Sequence, residues 1–198
     1  MKARNIYDNV EAASFVQREV LKPDGYVCKI IDVELLTNQW GEKLVIHFDI
    51  AEGDSKGHYQ KRYDNKTDEN EGWKGNYRVS VPSDDGSEED SRIAARFKTF
   101  IQEVEDSNTG YRWDWDEKKL KGKLVGILFS EKEWSMNGKT GFFTNPRYTT
   151  TVANIKDGKF KIPPIQYLDG KGETAPAQTS GDGFMSIPTG SGEDLPFN

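Results

Sequence analysis

Tyr26-Val27-Cys28-Lys29-Ile30-Ile31-Asp32-Val33-Glu34-Leu35, followed after a turn by Leu44-Val45-Ile46-His47-Phe48-Asp49-Ile50, is the stretch from which the fold is read. In the first run Tyr26, Cys28 and Ile30 alternate with Val27 and Lys29; the phase then slips by one, and Ile31, Val33 and Leu35 carry the apolar face onward. Successive side chains of a strand point to opposite faces, so a one-residue slip marks a β-bulge. The second run is regular, with Leu44, Ile46, Phe48 and Ile50 on one side and Lys43, Val45, His47 and Asp49 on the other. Thr37-Asn38-Gln39-Trp40-Gly41 reads as a turn, so the two runs predict an antiparallel hairpin.

Reading outward from this hairpin, the chain turns polar from Asp54 to Asp90, with Tyr59, Tyr63, Trp73 and Tyr77 embedded. One or two strands are expected here, around 58–63 and 77–81, separated by a loop over 64–75. Ser87-Glu88-Glu89-Asp90 then offers a hydroxyl cap and first-turn acids, which oppose the positive end of a helix dipole. Ile93, Phe97, Phe100, Ile101 and Val104 follow at helical spacing, and Asn108-Thr109-Gly110 can adopt the left-handed backbone that ends a helix. A helix over 89–107 is predicted. Beyond it, the run 123–131 is apolar on both faces and reads as a central strand. Asn137-Gly138 is a strong hairpin-turn signal, with Phe142, Phe143 and 147–155 as the return arm. The segment before residue 23 reads as a short helix or a lead-in to the first strand.

The order is hairpin, one or two strands, helix, hairpin. It matches the OB-fold, a mainly β, five-stranded, partly open barrel, with its one α-helix between strands 3 and 4. Periodicity alone also admits another small mixed barrel. Residues 1–168 are expected to be this domain and 169–198 a flexible acidic tail. The tail is rich in Gly, Ser, Thr and Pro, and cannot bury enough apolar surface to offset its ordering entropy.

The 198 residues carry a net charge of −6. One Lys against Asp169, Glu173, Asp182, Glu193 and Asp194 puts −4 of this in the tail and leaves the body nearly neutral. A pI near 5.1 argues against bulk attraction to duplex DNA, which usually needs a strongly basic surface. Single strands remain open, because stacking on aromatic rings supplies much of that binding. Cys28 is the only cysteine, and His47 and His58 are the only histidines. No disulfide within the chain and no metal site are therefore expected. No apolar run reaches the length of a membrane helix, and Met1 to Val10 lacks a signal-peptide core. A cytoplasmic protein with no membrane partner is expected.

Two segments combine aromatic rings with cations, as a sequence-tolerant single-strand surface requires, and a single ring is a third candidate. The first interleaves Tyr59, Tyr63, Trp73 and Tyr77 with Lys56, Lys61, Arg62, Lys74 and Arg78. For any single ring here, burial in the core is the more frequent outcome. The second surrounds the Asn137-Gly138 turn: Trp134, Lys139, Phe142, Phe143, Arg147 and Tyr148. Adjacent Phe142 and Phe143 must face opposite sides, so at most one belongs to the core. Trp40, at the tip of the first hairpin, is the third. Tyr111-Arg112-Trp113-Asp114-Trp115-Asp116 reads instead as a packed connection. The acidic run at 84–90 lacks the ligand spacing of an EF-hand loop and reads as a solvated lead into the helix. No phosphate-binding glycine loop, nucleophile elbow or paired-His motif is present. Neither an enzyme nor a cofactor is expected.

The chain closes on Glu193-Asp194-Leu195-Pro196-Phe197-Asn198. Glu193 to Phe197 resembles the C-terminal tip of bacterial and phage single-stranded DNA-binding proteins, where acidic sequence runs into Leu/Ile-Pro-Phe. Those tips end on the Phe; here Asn198 moves the terminal carboxylate one residue on. The resemblance implies a phage or prophage type of single-stranded DNA-binding protein, acting in replication and recombination in the cytoplasm of a bacterial host. It further implies that Glu193, Asp194, Leu195, Pro196 and Phe197 recruit replication or recombination proteins, with homo-oligomer formation allowed. Two other readings stay open: an accessory protein with a partner-binding tip but no DNA groove, and a β-barrel that binds small molecules or carbohydrate.

Overall fold

The computed structural model describes residues 20–39 and 41–168. Five strands form one antiparallel sheet: β1 (Gly25–Asn38), β2 (Gly41–Ile50), β3 (Asn76–Ser80), β4 (Leu124–Met136) and β5 (Lys139–Thr150). Their order across the sheet is β3-β2-β1-β4-β5. The described residues also form three helices, α1 (His58–Asp64), α2 (Glu88–Ser107) and α3 (Val152–Lys156), with a 3₁₀ turn at Glu117–Leu120 before β4. The N-terminal segment up to residue 19, Trp40 and the tail with its tip lie outside the described residues.

The slip in the first strand is a bulge. Ile30 pairs with Phe48 and Asp32 with His47, which leaves Ile31 as the extra residue. The apolar face beyond it differs from expectation: Val33 packs on the core, whereas Ile31 and Leu35 are exposed. The reason lies in the neighbouring strand. β1 pairs with β4 only from Gly25 to Lys29, so its second half, beside β2 and β3, is an arm of the sheet with β1 at its edge. β4 and β5 form a second arm beyond the opposite end of this shared segment, closed by Asn137 and Gly138 at φ 52° and 73°. Positive φ at both central residues is what a two-residue hairpin turn with the native strand twist demands.

The helix expected at 89–107 is α2. Ser87 Oγ accepts a hydrogen bond from Asp90 N at 3.0 Å. The buried Asp90 carboxylate in turn accepts from Ser83 N at 2.7 Å and Asp84 N at 2.9 Å, fastening the preceding loop to the first turn. At the other end Asn108 is extended, not left-handed; it acts through its side-chain amide, and Gly110 takes the positive φ of 80°. Phe97, Phe100, Ile101 and Val104 turn inward onto Phe48, Ile127 and Phe129 in one core.

Two expected strands are corrected. Residues 58–63 form α1, because a carboxylate outside the segment caps it. Asp49 Oδ1 accepts from Tyr59 N at 2.9 Å and Oδ2 from Gln60 N at 3.1 Å. The residue at the cap position itself, Gly57, has no side chain to offer. The second hairpin's return arm stops at Thr150. Thr151 Oγ1 then accepts from Asn154 N at 3.2 Å and starts α3. α3 lies close against the sheet: Cβ atoms at Gly25 and Gly126 would stand 2.6 and 2.7 Å from Ile155 side-chain atoms.

Of the partly open barrel expected, the structure has the five strands as one antiparallel sheet, with α2 between its third and fourth strands. β3 and β5 are the two edges of the sheet, and no ladder joins them among the described residues. α2 packs against β3, β4 and β5 and spans the opening. There the Thr149 hydroxyl of β5 stands near Tyr77 of β3 and Glu103 of α2 and tempers the rise of both their pKa values.

Candidate nucleic-acid interface

The two aromatic and basic segments that the structure describes diverge in fate. In the first, Tyr59 is a core residue, only 6% exposed and set edge-on to Phe48 at 5.3 Å. Its hydroxyl pKa is pushed up, mainly by desolvation. Trp73 is half-buried, and its indole N–H is shared between Phe48 O at 3.1 Å and Gly75 O at 3.2 Å. Tyr77 packs on the core beside Phe100, with its pKa raised to about 12, chiefly by burial and next by the Glu103 charge. Tyr63 alone stays open in this group. Lys66 Nζ sits 4.1 Å from its ring centroid and Trp73 leans on it at 5.8 Å.

The cations of this segment are exposed, but several have partners. Glu71 lies 3.4 Å from Arg62 and 3.6 Å from Lys74, along a shallow recess between α1 and the loop before β3. A phosphate here would compete with that carboxylate. Lys56 and Lys61 face solvent. Arg78 stands apart on the outer face of β3, in register with Val45 and, one strand further, Glu34.

That outer face holds three cross-strand rows: Asp32, His47 and Asn76; Glu34, Val45 and Arg78; Leu36, Lys43 and Ser80. No aromatic ring other than the His47 imidazole stands in these rows. His47 Nε2 lies 3.4 Å from Glu34 Oε1, and Lys121 Nζ lies 3.3 Å from Asp32 Oδ1. The signs are mixed and largely compensated.

The β4–β5 arm is different, because its two faces have opposite chemistry. Pairing from the Asn137-Gly138 turn puts Met136 opposite Lys139, Trp134 opposite Gly141 and Lys132 opposite Phe143 on one face. This face has two exposed lysines and no acid. Trp134 and Phe143 are 36% and 44% exposed. The other face has Glu133 opposite Phe142 and Glu131 opposite Thr144. Phe142 meets Tyr167 edge-on at 6.0 Å, and Leu168 N donates to Glu133 Oε2 at 3.1 Å. Phe142 and Phe143 thus point to opposite sides as expected, and neither belongs to the core.

Near the base of the arm Tyr148 is half-buried, with the Arg147 guanidinium 5.3 Å from its ring. Arg147 Nε and Nη1 point at the amide end of Gln166, which accepts from both when its oxygen is turned toward them. Gln166 also forms a parallel bridge to Lys132 on the edge of β4. Lys132 and Gly141 were not singled out from the sequence. The two-residue turn would have found them, since it fixes which positions face each other.

Tyr111 and Trp113 of the segment 111–116 pack on the core as expected, while Trp115 is 70% exposed at φ 66° and stacks on Phe97 at 5.9 Å. Among the described residues no three His, Cys, Asp or Glu side chains gather as a metal-ligand set, and no helix is long and apolar enough to cross a membrane. Trp40 and the tip residues 193–197 lie outside the described residues. No family model and no curated protein matches this chain.

Proposed function

We propose that this chain binds single-stranded DNA without strong sequence preference, through an OB-type barrel, and recruits replication or recombination proteins through its acidic C-terminal tip. The observation that carries the reading is the acid-free face of the β4–β5 arm, where exposed rings stand beside lysines. Stacking accepts any base, and lysines pair with the phosphate that every nucleotide carries. The barrel part rests on five strands with a long helix between β3 and β4 and an opening that this helix spans. The nearly neutral body favours unstacked strands over duplex, whose binding leans on counterion release. The tip reading rests on its sequence resemblance alone.

Fluorescence titration with oligo(dT) at two salt concentrations, beside a matched duplex, tests this. Micromolar or tighter binding to the single strand that weakens with salt, with much weaker duplex binding, is expected. Equal affinity for both, or none for either, refutes it. Deleting residues 193–198 should leave oligo(dT) affinity intact and abolish capture of host replication proteins; unchanged capture removes the tip from the proposal.

A further inference from the structure

We infer that the single strand is read by one face of the β4–β5 arm alone, with Trp134 and Phe143 as a two-ring platform that Gly141 sets in place. This rests on the single-stranded DNA reading above and goes beyond it by excluding the outer face of β1, β2 and β3.

Gly141 is the centre of the inference. A Cβ at this position would stand 2.9 Å from Trp134 Nε1 and 3.0 Å from Cε2 and Cζ2. The indole therefore leans across the bare backbone of the opposite strand, where any other residue would hold it off. One side of the ring is supported by Gly141, and the remainder of its exposed surface faces solvent. A ring held in this way loses little freedom when a base lands on it, which preserves affinity. Gly141 is not required by its own backbone, because its φ is not positive. Its role is the close approach.

Phe143 stands diagonally across from Trp134, one row nearer the sheet. Diagonal positions in an antiparallel pair are about 7–8 Å apart, roughly twice the ~3.4 Å rise of a stacked strand. Each ring can therefore hold a base of its own. Lys132 lies directly opposite Phe143, and Lys139 lies one row beyond Gly141. The platform thus has a cation at either end for the phosphates. The reverse face of the arm is disfavoured by its acids, Glu131 and Glu133, which stand beside the 48% exposed Phe142 that Tyr167 meets edge-on. Among the described residues, the outer face of β1, β2 and β3 has no ring other than the His47 imidazole, and its acids Asp32 and Glu34 stand beside Lys121 and His47.

The test uses the full chain and oligo(dT). Trp134→Ala and Phe143→Ala should each weaken binding about 5- to 150-fold, the range of one lost base stack. Gly141→Val should weaken it comparably, and in a Trp134→Ala background it should add nothing, because it acts only through the ring. Trp134→Phe should keep most of the affinity while abolishing the DNA-dependent quenching of tryptophan emission. Lys43→Glu, on the outer face of β2, should leave affinity within about 2-fold. If the parent chain binds oligo(dT) but Trp134→Ala and Gly141→Val bind equally well, this inference is overturned while the broader reading stands. A loss from Lys43→Glu as large as that from Trp134→Ala overturns it in the same way. If the parent binds no oligo(dT), the broader reading itself fails.

Discussion

Asn108 holds both backbone groups of Leu124: its Nδ2 donates to Leu124 O at 2.8 Å and its Oδ1 accepts from Leu124 N at 2.9 Å. The same Nδ2 donates to Val104 O at 2.7 Å, so one amide closes the end of α2 and pins the first residue of β4. The helix and the strand that follows it are joined by a side chain that mimics a peptide group.

Asn108→Ala should therefore destabilise the fold more than an ordinary cap deletion. It leaves the Leu124 N–H and two carbonyls without their partner, and unmet buried groups cost about 1–3 kcal/mol each before water repairs them. A loss of about 2–4 kcal/mol is expected, read as a lower urea midpoint. A change below about 0.5 kcal/mol would show that water replaces the amide at no cost.

Gly75→Ala should be about as poorly tolerated. The added Cβ would meet the backbone oxygen of Phe48 at 2.2 Å, with Trp73 Nε1 and Tyr59 Cγ at 2.9 Å. Backbone on one side and two packed rings on the other cannot all give way. The hydrogen bond from Phe48 N to Gly75 O at 2.8 Å would be strained with them. Overpacking of this kind costs about 3 kcal/mol. Tryptophan emission should shift toward the red as Trp73 leaves its two carbonyl partners; an unshifted spectrum with wild-type stability contradicts the packing described.

Glu103 makes stability fall as pH rises through the acid-to-neutral range. Burial pushes its carboxyl pKa from 4.5 up to about 7, against a smaller lowering by the Thr149 hydrogen bond and a small further rise from Asp106. A raised carboxyl pKa means that the folded state keeps a proton which the unfolded chain has already released. Between pH 4.5 and about 7 the unfolded state binds fewer protons, so stability declines across that window and levels off above it. At about 1.36 kcal/mol per unit the decline amounts to about 3 kcal/mol at most. Glu103→Gln keeps the shape and removes the charge. It should flatten the slope, and it should be more stable than the parent at about pH 8 and little changed at about pH 4.5. Urea midpoints at the two pH values decide; a glutamine variant no more stable at the higher pH refutes the account.

The sequence by itself determined those elements whose signals lie within a few residues of where they act. Ser87 and the acids after it start α2 because a cap and a dipole work over one turn. Asn137-Gly138 closes the β4–β5 hairpin because both residues accept positive φ. The doubled apolar phase at Ile30-Ile31 locates the bulge because strand side chains alternate strictly. Tertiary structure alone decided the rest, since the deciding partners are distant in the chain. Residues 58–64 coil because Asp49 caps them from the end of β2, while Tyr59 and Trp73 turn inward because Phe48 awaits them there. β1 leaves Ile31 and Leu35 exposed because β4 stops accompanying it at Lys29. The aromatic face of the arm lies between these cases. Its row of Lys132, Trp134, Gly141 and Phe143 follows from the turn, but what flanks it depends on where Gln166 comes to rest beside Lys132 and Tyr167 beside Phe142. A local pattern states which side chains share a face; only the packed chain determines which face is left uncovered.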